Sequence, residues 1–176
     1  MAFEGDNFQG NMKKFRKLLA QLVKDLKTLS SKPLKKIPKE FMLKIFEFFK
    51  YYAITDDYLS GELKNLDVCV QFYLNDENYY CWISARDNTI DFGNGKGSNI
   101  TVTLSGSKET LLGILSGQLD IIWCLDDGDI NVELSNPNAN TRKDKYDCID
   151  GYRSQQGLLL MSIRGIMNDL TFSKNY

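Results

Sequence analysis

The chain has no histidine among its 176 residues, and this absence excludes much of enzyme chemistry. Histidine is the commonest general base and a common metal ligand, so catalytic triads of the usual kind are excluded. Cysteine and serine nucleophiles remain, but no side chain that could activate one is recognisable in the sequence. We therefore expect a protein that is not an enzyme and that needs no cofactor or metal ion.

Long apolar runs are also missing. No stretch approaches the about 18 apolar residues that a membrane-spanning helix needs. The first six residues show no basic segment followed by an apolar one, and the last four differ from the tripeptide that directs proteins to peroxisomes. These absences lead us to expect a cytoplasmic protein.

Cysteine is scarce, with four residues that lie far apart in the chain: Cys69, Cys81, Cys124 and Cys148. Three of them fall inside strand-like runs. Such a distribution favours buried thiols over disulfide bonds or metal ligands.

Charge is divided unevenly along the chain, although the net charge is only -1. Residues 1–50 carry 12 Lys and Arg against 5 Asp and Glu, whereas residues 51–176 carry 10 against 18. After a loose tail of ten residues, apolar side chains at three- and four-residue spacing predict an amphipathic helix over residues 11–29. Its polar side carries six cations: Lys13, Lys14, Arg16, Lys17, Lys24 and Lys27.

This basic helix has several candidate partners. Its composition suits contact with an anionic membrane surface. The acidic part of the same chain, or of a second copy in a homodimer, would attract it as well. Nucleic acid is not expected, because aromatic and basic residues are not interleaved on one face. Serines and prolines at residues 30–38 indicate a linker, so we divide the chain into an extension over residues 1–37 and a main domain over residues 38–176.

The main domain begins with a helix over residues 38–52 that is apolar around most of its circumference and must be buried. Alternating apolar and polar residues then predict strands at 68–74, 79–85, 89–92 and 98–104, which we expect to form a four-stranded meander. A fifth strand is predicted at 130–134 and a last, apolar helix at 158–170. The polar residues 135–147 between them predict a surface loop, either a plain connection or a cover for a pocket.

Residues 98–134 combine a strand, a helix, an apolar run, a turn and a second strand. The first strand alternates Thr with aliphatic residues, the helix is rich in leucine from Leu111 to Gly117, and Gly128 precedes the second strand. With the flanking strands and the closing helix, this arrangement resembles the sterol carrier protein type-2 family over residues 41–170. The resemblance implies an α+β fold, in which a mixed, mainly antiparallel five-stranded sheet carries helices on one face.

The resemblance also implies a function, namely non-catalytic binding of a sterol, fatty acid or acyl chain in an apolar tunnel between sheet and helices, with transfer of lipid between membranes. Helices with more apolar surface than one sheet face needs favour the same interpretation. By pattern we place ten residues toward this tunnel: Phe72, Trp82, Leu112, Leu115, Ile122, Trp123, Leu159, Met161, Ile163 and Met167.

Two alternatives stay open at this point. Each of the ten residues could be ordinary core, in which case the chain would be an interaction module that uses its basic helix and has a filled, ligand-free interior. The choice of Trp82 over Cys81 and Ile83 as an inward residue depends on the register of its strand, because a shift of one residue exchanges the two faces.

Overall fold

The computed structural model describes the backbone of residues 5–172 and the side chains of residues 16–28 and 31–170. The first half of the chain contains α1 (Gly5–Ser30), a single 3-10 turn (Leu34–Lys36), α2 (Phe41–Thr55), α3 (Asp57–Leu63), β1 (Val68–Leu74), β2 (Tyr79–Arg86) and β3 (Thr89–Asn94). The second half contains β4 (Val102–Gly106), α4 (Lys108–Leu115), α5 (Ile121–Asp126), β5 (Ile130–Leu134), α6 (Arg142–Ile149) and α7 (Gln155–Phe172).

The five strands form one mixed sheet in the order β3-β2-β1-β4-β5. Only β1 and β4 are parallel, so the predicted α+β class with a mainly antiparallel five-stranded sheet is confirmed. The predicted four-stranded meander is wrong, because β4 pairs with β1 rather than with β3. This pairing gives the apolar strand β1 a neighbour on both sides, which satisfies the backbone groups of a strand that is buried almost throughout.

Helices α2, α4 and α7 cover one face of this sheet. On that face β1 contributes Val70 and Phe72, which stand beside Ile83 of β2 and Leu104 of β4 in the strand register. The Phe46 ring of α2 packs on Phe72 with 5.4 Å between ring centroids. The apolar face of α2, predicted to be buried, lies in this core.

Helix α1 shares the same core. Leu22 and Leu26 are buried on its inner side, and the Lys44 Nζ atom of α2 lies 2.8 Å from the Asp25 carboxylate. The helix begins at Gly5, so the predicted tail is wrong for residues 5–10. The division of the chain at residue 38 remains a prediction, and the structure adds that apolar contacts cross it.

Two short helices, α6 and α3, were not predicted from the sequence. Residues 142–149 form α6 instead of a loop, because Thr141 and Asp144 make a capping box in which each side chain accepts a backbone N–H of the other residue. Residues 57–63 form α3, whose first turn is capped by the Asp56 carboxylate at 2.9 Å from the Leu59 nitrogen. None of the helices in the described part of the chain is long and apolar enough to cross a bilayer.

Candidate functional site

The centre of the helix-covered sheet face is filled by protein side chains. Six of the ten residues predicted to face a tunnel lie here, each at most 1% exposed: Phe72, Leu112, Leu115, Leu159, Ile163 and Met167. Ile122 is half-buried and packs at the border of this core. The structure therefore brings these residues together, but as core neighbours.

Trp82 lies on the opposite face of the sheet, so its predicted inward placement is wrong. The register pairs Cys81 with Phe72 and Ile83 with Val70, and both Cys81 and Ile83 are fully buried under the helices. The indole packs instead against β3 and the loop after it, where a Cβ on Gly93 of β3 would lie 2.8 Å from the ring and one on Gly97 of the loop 2.9 Å. Because β2 has apolar residues on both faces, its sequence pattern does not show which face points toward the helices.

Trp123 and Met161 are also misplaced by the sequence pattern, since their side chains are 74% and 42% exposed. In α5 the buried positions are Ile121 and Cys124, and in α7 they include Leu159. Each misplaced residue follows a buried one by two positions, which is about 200° around a helix. The apolar run containing Trp123 was not identified as a helix, so this periodicity could not be applied to it.

An open cleft of 840 Å³ lies between the helix layer and the sheet at one end of the molecule. Helices α2 and α3 form one wall, and the β2–β3 hairpin forms the other. Its lining residues are Lys50, Ala53, Ile54, Asp57, Ser60, Gly61, Leu63, Lys64, Ala85, Asn88, Thr89, Ile90 and Asp91. The volume lies within the range of about 300–1,000 Å³ that small-molecule sites occupy.

Local geometry opens this cleft. The Asp56 cap ends α2 and starts α3 in a new direction, and Asp87 and Asn88 close the facing hairpin in a two-residue turn with φ values of 49° and 60°. Between the two walls two of the three buried lining residues are small, Ala53 of α2 and Ala85 of β2, and the third is Leu63 of α3. The floor is thus apolar and leaves space above it.

Charged groups stand along the cleft. The Lys50 Nζ atom lies 3.5 Å from an Asp91 carboxylate oxygen and 5.8 Å from the centroid of the Phe92 ring. The same Asp91 oxygen accepts the backbone N–H of Phe92 at 3.0 Å. Asp57 of α3 and Lys64, the residue after α3, are exposed lining residues. A molecule bound in this cleft would contact apolar and charged side chains that lie next to each other.

Sequence reasoning missed this cleft. The available signals were the small residues Ala53 and Ala85 within otherwise bulky apolar runs, and the pair Asp56-Asp57, which marks a helix start. Neither signal shows which segments face each other. A site made by a helix corner and a hairpin depends on contacts between segments that are separated in the chain.

The basic side of α1 is exposed at Arg16, Lys17 and Lys24, and Lys27 is half-buried. Lys13 and Lys14 lie outside the residues whose side chains are described. Within the described residues, no group of His, Cys, Asp and Glu could hold a metal ion.

The buried thiols have raised pKa values. Burial raises the pKa of Cys81 to about 12 and that of Cys148 to about 11. Cys69 and Cys124 are buried as well, and all four cysteines are free. The prediction that the four cysteines are buried thiols is confirmed.

Comparison with known proteins places part of this chain in a family context. Residues 49–133 match the SCP-2 sterol transfer family, which confirms the resemblance identified in the sequence. No curated protein sequence matches the chain.

Several solved structures are similar to part of this chain. The sterol carrier protein domain 2 of Helicoverpa armigera gives a TM-score of 0.50 at 16% identity, over 72% of this chain and 89% of that chain. Sterol carrier protein 2 of Yarrowia lipolytica in its apo form gives 0.43 at 14% identity, over 55% and 88%. The sec-alkylsulfatase Pisa1 from Pseudomonas sp. gives 0.42 at 20% identity over 51% of this chain, which spans only 14% of that enzyme.

Proposed function

We propose that this chain, which is similar to the SCP-2 sterol transfer family over residues 49–133, binds lipids without catalysis and holds their hydrocarbon part in the cleft between α2, α3 and the β2–β3 hairpin. The cleft is the observation that carries this proposal. Its volume is 840 Å³, and every residue that lines it, from Lys50 to Asp91, lies within the matched segment.

Burial of hydrocarbon would supply the affinity. Each CH₂ group moved from water into an apolar environment contributes about 0.8 kcal/mol, so a chain of several carbons needs few polar contacts. Leu63, Ala85 and Ile90 offer apolar surface on both walls. Because such contacts do not depend on the shape of one ligand, we expect binding of sterols, fatty acids and acyl chains with broad specificity.

Transfer between membranes is the second part of this proposal. The cleft is open at the surface rather than enclosed, and Ile54 on its wall is 67% exposed. A lipid could therefore enter and leave without unfolding of the filled core. The sequence without histidine supports a binding role over a catalytic one.

A glycine on the wall provides a direct test. Gly61 lines the cleft, and a Cβ placed on it would meet no atom within 4 Å. The variant Gly61→Phe should keep the fold, because phenylalanine is a better helix former than glycine. Its ring should occupy space that the ligand needs. Displacing only two CH₂ groups at about 0.8 kcal/mol each would weaken binding by more than tenfold.

The measurement is displacement of a fluorescent fatty acid by hexadecanol, with thermal unfolding as a check of the fold. Gly165→Phe is the matched control, because Gly165 also lies in a helix, has no atom within 4 Å of an added Cβ and does not line the cleft. Equal affinity of both variants and the wild type would contradict the proposed site.

A second candidate function is contact of the α1 basic side with an anionic membrane. The exposed positions of Arg16, Lys17 and Lys24 favour it, whereas Leu22 and Leu26 are buried and cannot insert into lipid. Binding would then be electrostatic, at about 1 kcal/mol for each cation near the surface. Contact with an acidic surface of a second copy of the chain remains the alternative partner.

Replacing Arg16, Lys17 and Lys24 together by Gln should weaken binding to vesicles that contain phosphatidylserine by about 100-fold, from three losses of about 1 kcal/mol. Co-sedimentation measures this. The control variant replaces three exposed cations elsewhere, Lys96, Arg142 and Lys143, by Gln and changes the net charge equally. Similar losses in both variants would indicate a general charge effect and contradict an α1 surface.

A further inference from the structure

The cleft contains an ion pair that stands beside its apolar floor. Lys50 and Asp91 come from opposite walls, α2 and β3, and their charged atoms are 3.5 Å apart. Their side chains are 36% and 66% exposed. An ion pair that is open to solvent contributes little to stability, with a median between about 0 and 1 kcal/mol, so separating it has a small cost.

Asp91 also makes a hydrogen bond that does not involve Lys50. Its Oδ1 atom accepts the backbone N–H of Phe92 at 3.0 Å. Because β3 is an edge strand of the sheet, this hydrogen bond satisfies a backbone donor that has no neighbouring strand. Asp91 can therefore release Lys50 and keep a hydrogen-bonded position on its own strand.

Lys50 is suited to an anion that carries a hydrocarbon chain. Its ammonium group stands over the Phe92 ring at 5.8 Å, and Ala53 and Ile54 follow it on α2 as lining residues. Lys64, the residue after α3, adds a second cation. A carboxylate or phosphate bound to Lys50 would place an attached chain over the apolar floor.

We propose that Lys50 selects lipids with an anionic head group, and that the head group replaces the Asp91 carboxylate as the partner of Lys50. This inference rests on the proposed function and adds a specificity-determining pair to it. The carboxylate of a fatty acid and the phosphate of a phospholipid share the required chemistry. In the free protein Asp91 competes with the ligand for the same ammonium group.

Two substitutions should act in opposite directions. Lys50→Met keeps the length of the side chain and removes its charge, so hexadecanoate should bind about tenfold more weakly, as expected for the loss of a charge-assisted hydrogen bond. Asp91→Asn removes the competing charge and keeps an oxygen for the Phe92 N–H, so hexadecanoate should bind about two- to fivefold more tightly. Because hexadecanol carries the same chain without a charge, it is the reference ligand, and the ratio of the affinity for hexadecanoate to that for hexadecanol should fall for Lys50→Met and rise for Asp91→Asn.

The chain offers a matched control pair whose lysine lies on the same helix as Lys50. Lys44 and Asp25 also form a Lys-Asp ion pair, at 2.8 Å, and neither lines the cleft. Lys44→Met and Asp25→Asn should leave the affinities for hexadecanoate and hexadecanol unchanged. Isothermal titration calorimetry at constant salt measures all four variants, and thermal unfolding checks that each variant is folded.

The outcomes separate this inference from the proposed function. If the wild type binds hexadecanol but Lys50→Met and Asp91→Asn leave the ratio of the two affinities unchanged, the head-group inference is overturned and the lipid site stands. If the wild type binds neither probe, the proposed function is overturned and the inference with it. Hexadecyl phosphate distinguishes the sources: a response to Lys50→Met with both anions supports general anion selection, and a response with only one identifies that head group.

Discussion

The centre and the α2–α3 end of the helix-covered sheet face differ in the size of their side chains. At the centre Phe46, Phe72 and Leu159 are fully buried and leave no exposed surface. At the α2–α3 end two of the three buried lining residues are small, Ala53 and Ala85 beside Leu63, and the cleft of 840 Å³ opens above them. An apolar surplus in a sequence can therefore be used in two ways, and residue volume helps to decide between a filled core and an open cleft.

This comparison also separates stability from binding. Residues at the centre should dominate the free energy of unfolding and affect ligands only through it. Residues at the α2–α3 end should affect ligand affinity with little effect on stability. The Gly61, Lys50 and Asp91 variants test the effect on affinity, and substitutions in the core test the effect on stability.

The largest expected effect is that of Leu159→Ala in α7. Leu159 is fully buried, so its truncation should lower the free energy of unfolding by about 2–5 kcal/mol through lost burial and the cavity left behind. Met161→Ala in the same helix should lower it by less than about 1 kcal/mol, since the Met161 side chain is 42% exposed. Urea unfolding at pH 7 measures both. Equal losses would contradict the assignment of Leu159 to a filled centre and of Met161 to the surface.

A smaller effect is expected from the Cys81 thiol, which lies at the centre against the Met42 sulfur at 3.9 Å. Burial raises its pKa from the usual 9.0 to about 12. Below pH 9 the thiol is protonated in both the folded and the unfolded chain, so stability does not change. As the pH rises from 9 to 12 the unfolded chain loses this proton first, and the free energy of unfolding should fall by about 1 kcal/mol for each pH unit.

The measurement for Cys81 is urea unfolding at several pH values for the wild type and for Cys81→Ala. The variant loses some stability at all pH values, because a side chain in the core is shortened. Above pH 9 the difference in free energy of unfolding between the two proteins should shrink, because only the wild type has a buried thiol that stays protonated in the folded state and loses its proton on unfolding. A constant difference up to pH 11 would show that Cys81 is accessible to water and that the centre is not closed.

Much of the fold could be predicted from the sequence, because the signals are local. Alternation marked all five strands, and the continuous apolar pattern of α2 and α7 marked two buried helices. The order of elements around Leu111 to Gly117 was sufficient to identify the resemblance that residues 49–133 confirm.

The errors arose where a local pattern allowed two arrangements. Trp82 and Cys81 are both acceptable inward residues of a strand, and only the pairing of Cys81 with Phe72 decides between them. A fourth strand can continue a meander or pair with β1, and both have the same alternation. Trp123 belongs to an apolar run whose helical structure the sequence pattern does not show. The helix α5 is defined by its cap, because a side-chain oxygen of Asp120 accepts the N–H groups of Ile122 and Trp123.

The sequence by itself determined the five strands, the long apolar helices and the expectation of hydrocarbon rather than catalysis, since periodicity, composition and the lack of histidine are properties of the chain alone. The tertiary structure decided where a ligand has room. Packing brings the α2–α3 corner opposite the β2–β3 hairpin, and the space between them depends on how closely two distant segments approach, which no local pattern encodes.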